Sequence, residues 1–177
     1  AEAQQLFATR IALAMADGDV ADAFAAAQRY KARTLRERLL GPGEDLAAPQ
    51  DLAAFVTMAQ VRREALRPGE VLLDVVAGPD SGWLFVVSRD TSFARRLPGE
   101  KRWDNLLAPL LAQFADPFTA VDSTLVTAVR DTLLGPADAA PASLVTGAAT
   151  VFVCPDGWLH RVPFAVVQIG SSVERSA

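Results

Sequence analysis

The sequence predicts an α/β protein in which an N-terminal helical hairpin precedes a mixed sheet flanked by helices. Three observations carry that expectation. Over the first 40 residues, apolar side chains recur at three- and four-residue spacing, the period of a helix. At Arg67-Pro68-Gly69 the pattern changes to short, β-branched apolar runs bounded by turn residues. Beyond Leu97, helical stretches alternate with a further apolar run, which is the order of a layered α/β domain.

Each element follows from its own residues. Leu6, Ile11, Ala14 and Met15 set the first helix, and Asp17-Gly18-Asp19 ends it, with Gly18 suited to a helix terminus and Asp19 to the next N-cap. A second helix over residues 20–40 carries Phe24, Ala27, Tyr30 and Leu35 inward and stops at Gly41-Pro42-Gly43. So short a turn between two helices packs them antiparallel. A third helix is expected over residues 51–66, with Leu52, Phe55, Val56, Ala59 and Leu66 as its buried stripe and Arg62 and Arg63 near its C-terminal end.

Residues 71–76 then read as a strand, Gly78-Pro79-Asp80-Ser81-Gly82 as a turn, and residues 83–87 as the returning strand of a hairpin. Residues 93–97 make a short third strand. The runs are nearly continuous in apolar residues, which predicts burial on both faces. A short amphipathic helix interrupted at Pro109 is expected over residues 103–114. Another covers residues 122–134, with Asp122 as N-cap and Leu125, Val126, Val129 and Leu133 on one face. Residues 137–147 read as a small-residue loop, residues 149–154 as a strongly apolar strand, and Pro155-Asp156-Gly157 as a turn.

Composition narrows the function classes. The 177 residues, 51% apolar and 21% charged, suffice for one domain or one plus a short attachment, and exclude wholesale disorder. No apolar run reaches the ~18–20 residues of a membrane span, and no basic segment followed by an apolar one suggests a signal peptide. The net charge of −4, without a basic stripe, speaks against nucleic acid. One cysteine, Cys154, and one histidine, His160, exclude an internal disulfide framework and a Cys- or His-rich metal centre, and no cofactor is expected. The sequence opens inside a helical pattern without an initiator Met and stops after an apolar run, so a fragment is expected. A sheet ending there would leave an edge unpaired and an apolar face open, to be completed by more chain or by a partner.

Few residues offer chemistry. Gly41-Pro42-Gly43 lacks the preceding strand and Lys-Ser/Thr partner of a phosphate cradle, and Glu44 and Asp45 lie in the same solvated loop. Cys154 and His160 are the minimal set for a thiolate nucleophile with its base. Cys154, however, closes a strand whose apolar run predicts burial, where cysteine behaves as a small hydrophobe. His160 reads as a hydrogen-bonded structural residue within an aromatic turn that includes Trp158 and Phe164.

The segment Val151-Phe152-Val153-Cys154-Pro155-Asp156-Gly157-Trp158-Leu159-His160-Arg161-Val162-Pro163-Phe164-Ala165 resembles a signature of the CHAT domain, the caspase-like family found beside TPR repeats in bacteria. Ala23-Phe24 through Arg33-Thr34-Leu35 is similar to the last TPR-type helix before such domains. Leu66–Leu73 with Trp83–Val87 is similar to the family's opening hairpin, and Leu133-Leu134-Gly135-Pro136 to the end of its helix before the signature. The resemblance implies residues 1–48 as a TPR-like hairpin ending a repeat array, and residues 49–177 as the N-terminal portion of a caspase-like domain. It implies a cytoplasmic cysteine endopeptidase acting on proteins, with substrate or regulatory proteins meeting the TPR-like helices.

The family's catalytic His lies in a later His-Gly segment and its Cys after a further strand, so the resemblance places no catalytic residue among these 177. Pro155, Asp156, Gly157, Leu159, His160, Pro163 and Phe164 carry the signature as structural residues, with Val162 where the family usually has Leu. The alternative reading is a non-catalytic interaction module with an inactive caspase-like domain. A cofactor-binding α/β domain has no motif in its favour.

Overall fold

The computed structural model describes residues 2–40, 56–78, 80–116 and 118–166. It divides into two compact units, Ala1–Ala65 and Leu66–Ala177.

In the first unit, α1 (Glu2–Ala16) and α2 (Val20–Leu40) form the expected hairpin. Gly18 takes a left-handed φ of 75° at the junction, and the Asp19 carboxylate accepts the Asp22 N–H at 2.9 Å as an N-cap. The helices run antiparallel, with the Phe7 and Tyr30 rings 5.7 Å apart and Arg10 paired with Asp22. Ile11, Ala14, Ala23, Phe24, Ala26 and Ala27 fill the seam, where alanines permit close approach. Leu35, expected to face inward, is 58% exposed, and Leu6 is 71% exposed.

The expected third helix differs more. Residues 51–55 lie outside the described residues. Among the rest, α3 (Met58–Gln60) starts at Thr57, whose hydroxyl accepts from the Gln60 N–H while the Gln60 side chain accepts from the Thr57 N–H. This capping box fixes the start of the helix and leaves Val56 outside it. A π-turn over Val61–Ala65 follows and carries Arg62 and Arg63. Met58, Val61 and Leu66 are buried, while Val56 and Ala59 are exposed.

The second unit is built on a four-stranded mixed sheet of order β3-β2-β1-β4. Strands β1 (Glu70–Val76), β2 (Ser81–Ser88) and β3 (Ser92–Pro98) form an antiparallel meander, with Leu73 opposite Val86 and Phe85 opposite Ala94. The chain then passes through α4 (Glu100–Ala115), α5 (Ser123–Leu134) and α6 (Ala140–Gly147). It returns as β4 (Thr150–Cys154), parallel to β1 with Leu73 opposite Val153. A parallel neighbour needs a long crossover, and the three helices supply it.

Val71, Leu73 and Val75 of β1, with Leu84 and Val86 of β2, point to one face and join Trp103, Leu107, Leu110, Val129 and Leu133 in a single core. Burial of each such side chain contributes ~1.5–3 kcal/mol. On the opposite face Asp74, Val76, Phe85 and Val87 are also buried, as the continuous apolar runs of β1 and β2 predict.

Three expectations are corrected here. Helix α4 is not interrupted at Pro109: it begins at Glu100 and runs through the proline, which lies on the exposed face, while Trp103, Leu107 and Leu110 hold the buried one. Packing on that face outweighs the lost hydrogen bond. Residues 137–147 are not a loop throughout, because α6 occupies Ala140–Gly147, with a proline in its first turn and Ala142 and Val145 buried. Finally, β4 is an edge strand with alternating exposure rather than a buried one: Val151 and Val153 pack on the core while Phe152 is 46% exposed.

Asp122 caps α5 as expected, its carboxylate accepting the Thr124 N–H at 2.8 Å and the Thr124 hydroxyl at 2.6 Å. The hydroxyl first, and the N–H second, hold the carboxyl below its ordinary value. A carboxyl depressed on folding adds stability that is complete above its unfolded pKa of about 3.9 and is lost as pH falls through the lower folded value. Asp122→Asn retains a capping oxygen but cannot titrate. Its thermal midpoint therefore falls less steeply than that of the parent chain below about pH 4. Parallel acid slopes for the two proteins would refute this.

Candidate functional site

The segment singled out in the sequence starts within β4 and continues past its end. Cys154, Pro155 and Asp156 lead into a 3-10 turn over Gly157–Arg161, and the chain then continues through Val162, Pro163 and Phe164. Gly157 adopts φ 53°, and a Cβ there would lie 2.9 Å from the Cβ of Ala77. The turn needs glycine for both reasons, since left-handed backbone is costly for other residues and the space is already filled.

This tight approach lets the turn clasp the end of β1. The Asp156 carboxylate accepts the Ala77 N–H at 3.0 Å, and the Trp158 indole N–H donates to the Gly78 carbonyl at 3.3 Å. Both backbone groups lie just beyond Val76, where β1 ends. The Trp158 ring also lies 5.4 Å from that of Trp103 on α4, and Arg161 pairs with Asp104 on the same helix. Leu159 and Val162 are buried in the core, with Phe164 packed against it. The segment thus joins the C-terminal ends of β1 and β4 to the first half of α4.

The two residues with nucleophilic or basic chemistry are placed differently. Cys154 is exposed, which corrects the expectation of a buried thiol: the even positions of β4 lie on the face away from the core that Val151 and Val153 join. Asp74 of β1 is its register partner and is 3% exposed, a buried carboxyl within an otherwise apolar stretch of strand. His160 is also exposed, and its imidazole has no hydrogen-bond partner among the described residues. The imidazole therefore makes no hydrogen bond to the thiol of the kind that activates a nucleophile.

Pro155, Pro163 and Phe164 are partly buried, and Leu159 is fully so. The partners missed by sequence reading are the backbone groups of Ala77 and Gly78 and the side chains of Trp103 and Asp104, all far away in the chain from the residues they meet. Backbone acceptors and donors leave no sequence signal. Among the described residues no three His, Cys, Asp or Glu side chains gather as a metal site, and no helix is long and apolar enough to cross a membrane. Comparison of the chain with protein-family models, curated proteins and solved structures found no match.

Asp156→Ala leaves the partly buried Ala77 N–H without its acceptor, and chemical denaturation should show a loss of about 1–3 kcal/mol. Asp156→Asn, which keeps an acceptor oxygen, should lose less. His160→Ala, at an exposed position without a side-chain hydrogen bond among the described residues, should stay within ~0.5 kcal/mol of the parent. Equal stability of Asp156→Ala and the parent would show that the clasp contributes nothing.

Proposed function

We propose that this chain is the N-terminal portion of a CHAT-type, caspase-like cysteine endopeptidase, preceded by a TPR-like helical hairpin that receives a protein partner. The observation that carries the reading is where the signature-like segment sits. Residues 155–164 follow directly on a strand that lies parallel to the first strand of an antiparallel meander, with helices in the crossover. The motif thus follows a strand of a mixed, helix-covered sheet, in the order that the resemblance implies.

In this reading the chemistry is thiolate attack on a peptide carbonyl, with a histidine shuttling the proton and backbone N–H groups stabilising the oxyanion. Neither Cys154 nor His160 takes those roles. The nucleophile and base belong to polypeptide C-terminal to the signature, and Asp156, Gly157, Trp158 and Leu159 hold the strand ends from which such a site is built. Leu6 and Leu13, 71% and 64% exposed on α1, favour a second reading in which the protein only binds other proteins.

A peptide-library assay on the product of the whole reading frame separates the two. Under the peptidase reading, cleavage is abolished by iodoacetamide yet retained within about twofold in Cys154→Ser, as for an exposed residue outside the machinery. Loss of cleavage in Cys154→Ser would move the nucleophile into this chain and overturn the assignment. Absence of any thiol-dependent cleavage would leave the binding module.

A further inference from the structure

Between β3, α4 and α5 the surface opens into a cleft of about 480 Å³, within the range of small-molecule sites. Two guanidinium groups line it, Arg95 from β3 and Arg102 from the first turn of α4. Arg95 is seated on the C-terminal end of α5. Its Nη2 donates to the Asp131 carbonyl at 3.2 Å, and a Cβ on Gly135, where φ is 94°, would fall 2.5 Å from its Nη1.

That seating leaves one donor unmatched: the Nε of Arg95 is buried without a hydrogen-bond partner. A buried donor on a charged group is costly to leave unpaired. The carboxylate in the cleft does not relieve it, because Asp131 Oδ1 accepts both Nε and Nη2 of Arg130 at 3.2 Å. Arg102 has no side-chain partner among the described residues. The cleft is therefore lined by two guanidinium groups and one carboxylate, which Arg130 already engages, beside an apolar wall of Leu106 and Ala128.

We propose that this cleft binds a small organic oxoanion, a carboxylate or phosphate monoester with a short apolar body. Guanidinium forks match the paired oxygens of either group, and the apolar wall of the cleft suits the body. The site stands apart from the clasp at the end of β4 and does not depend on the peptidase reading.

Phenyl phosphate and benzoate serve as probes, titrated into the 177-residue chain while the arginine Nε–H cross-peaks are followed by NMR. The expected result is a saturable shift of the Arg95 Nε–H signal. Tighter binding of phenyl phosphate would identify a phosphate ester, tighter binding of benzoate a carboxylate, and each supports the site. Arg102→Gln, an exposed change, should weaken binding roughly tenfold, the effect of one charge-assisted contact. Lys101→Gln removes the same charge from the neighbouring position, which does not line this cleft, and should weaken it less than about twofold. No saturation by about 10 mM of either probe, or equal weakening by the two variants, would overturn the proposal.

Discussion

A parallel strand pair has no turn of its own to fix where it stops, so its ends must be secured by something else. Here β1 and β4 are joined through a crossover of three helices, and what secures them is the clasp of Asp156 and Trp158 on the Ala77 N–H and Gly78 carbonyl. These contacts span 79 and 80 residues of sequence. They fix the register of β4 on β1, and through Trp103 and Asp104 they fix α4 against the same sheet end. Gly157 makes the approach possible, since any side chain there would press on Ala77.

A second constraint acts at the other side of the helical layer. Helix α5 ends at Gly135 in a left-handed conformation, and the Arg95 guanidinium takes the space a side chain would need while donating to the Asp131 carbonyl. A cation at a helix C-terminus is favourable because the last carbonyls carry the negative end of the macrodipole. The edge strand β3 and helix α5 therefore share a charged contact at the margin of the apolar core to which both contribute. A cleft can stay open beside them without breaching the core.

How much of this could be read in advance depended on the kind of signal each element carries. The α1–α2 hairpin was legible because Gly18 and Asp19 are local turn and cap chemistry. The β1–β2 hairpin was legible because its apolar runs flank a Gly-Pro-Asp-Ser-Gly cluster. Helix α6 was not, since Ala, Pro and Ser at 140–143 look like loop composition, and only the packing of Ala142 and Val145 makes them helical. The break expected at Pro109 failed for the same reason: tertiary burial of Leu107 and Leu110 outweighs a local rule. At the site, the turn at Pro155-Asp156-Gly157 was visible in the residues themselves. Its partners at Ala77 and Gly78 were not, because backbone groups are alike at every position. The exposure of Cys154 was hidden too, since an apolar run does not reveal whether its strand lies inside a sheet or at its edge.

That exposure has a practical consequence. Cys154 is the one thiol in the sequence, and it lies two residues before the carboxylate of the clasp. A maleimide dye attached to the chain therefore has a single address, on the outer rim of the sheet and close in sequence to the indole of Trp158. Indoles quench many such dyes by electron transfer on contact. Fluorescence from that one label thus becomes a local gauge of the β4 end, able to register its fraying separately from the melting of the helices.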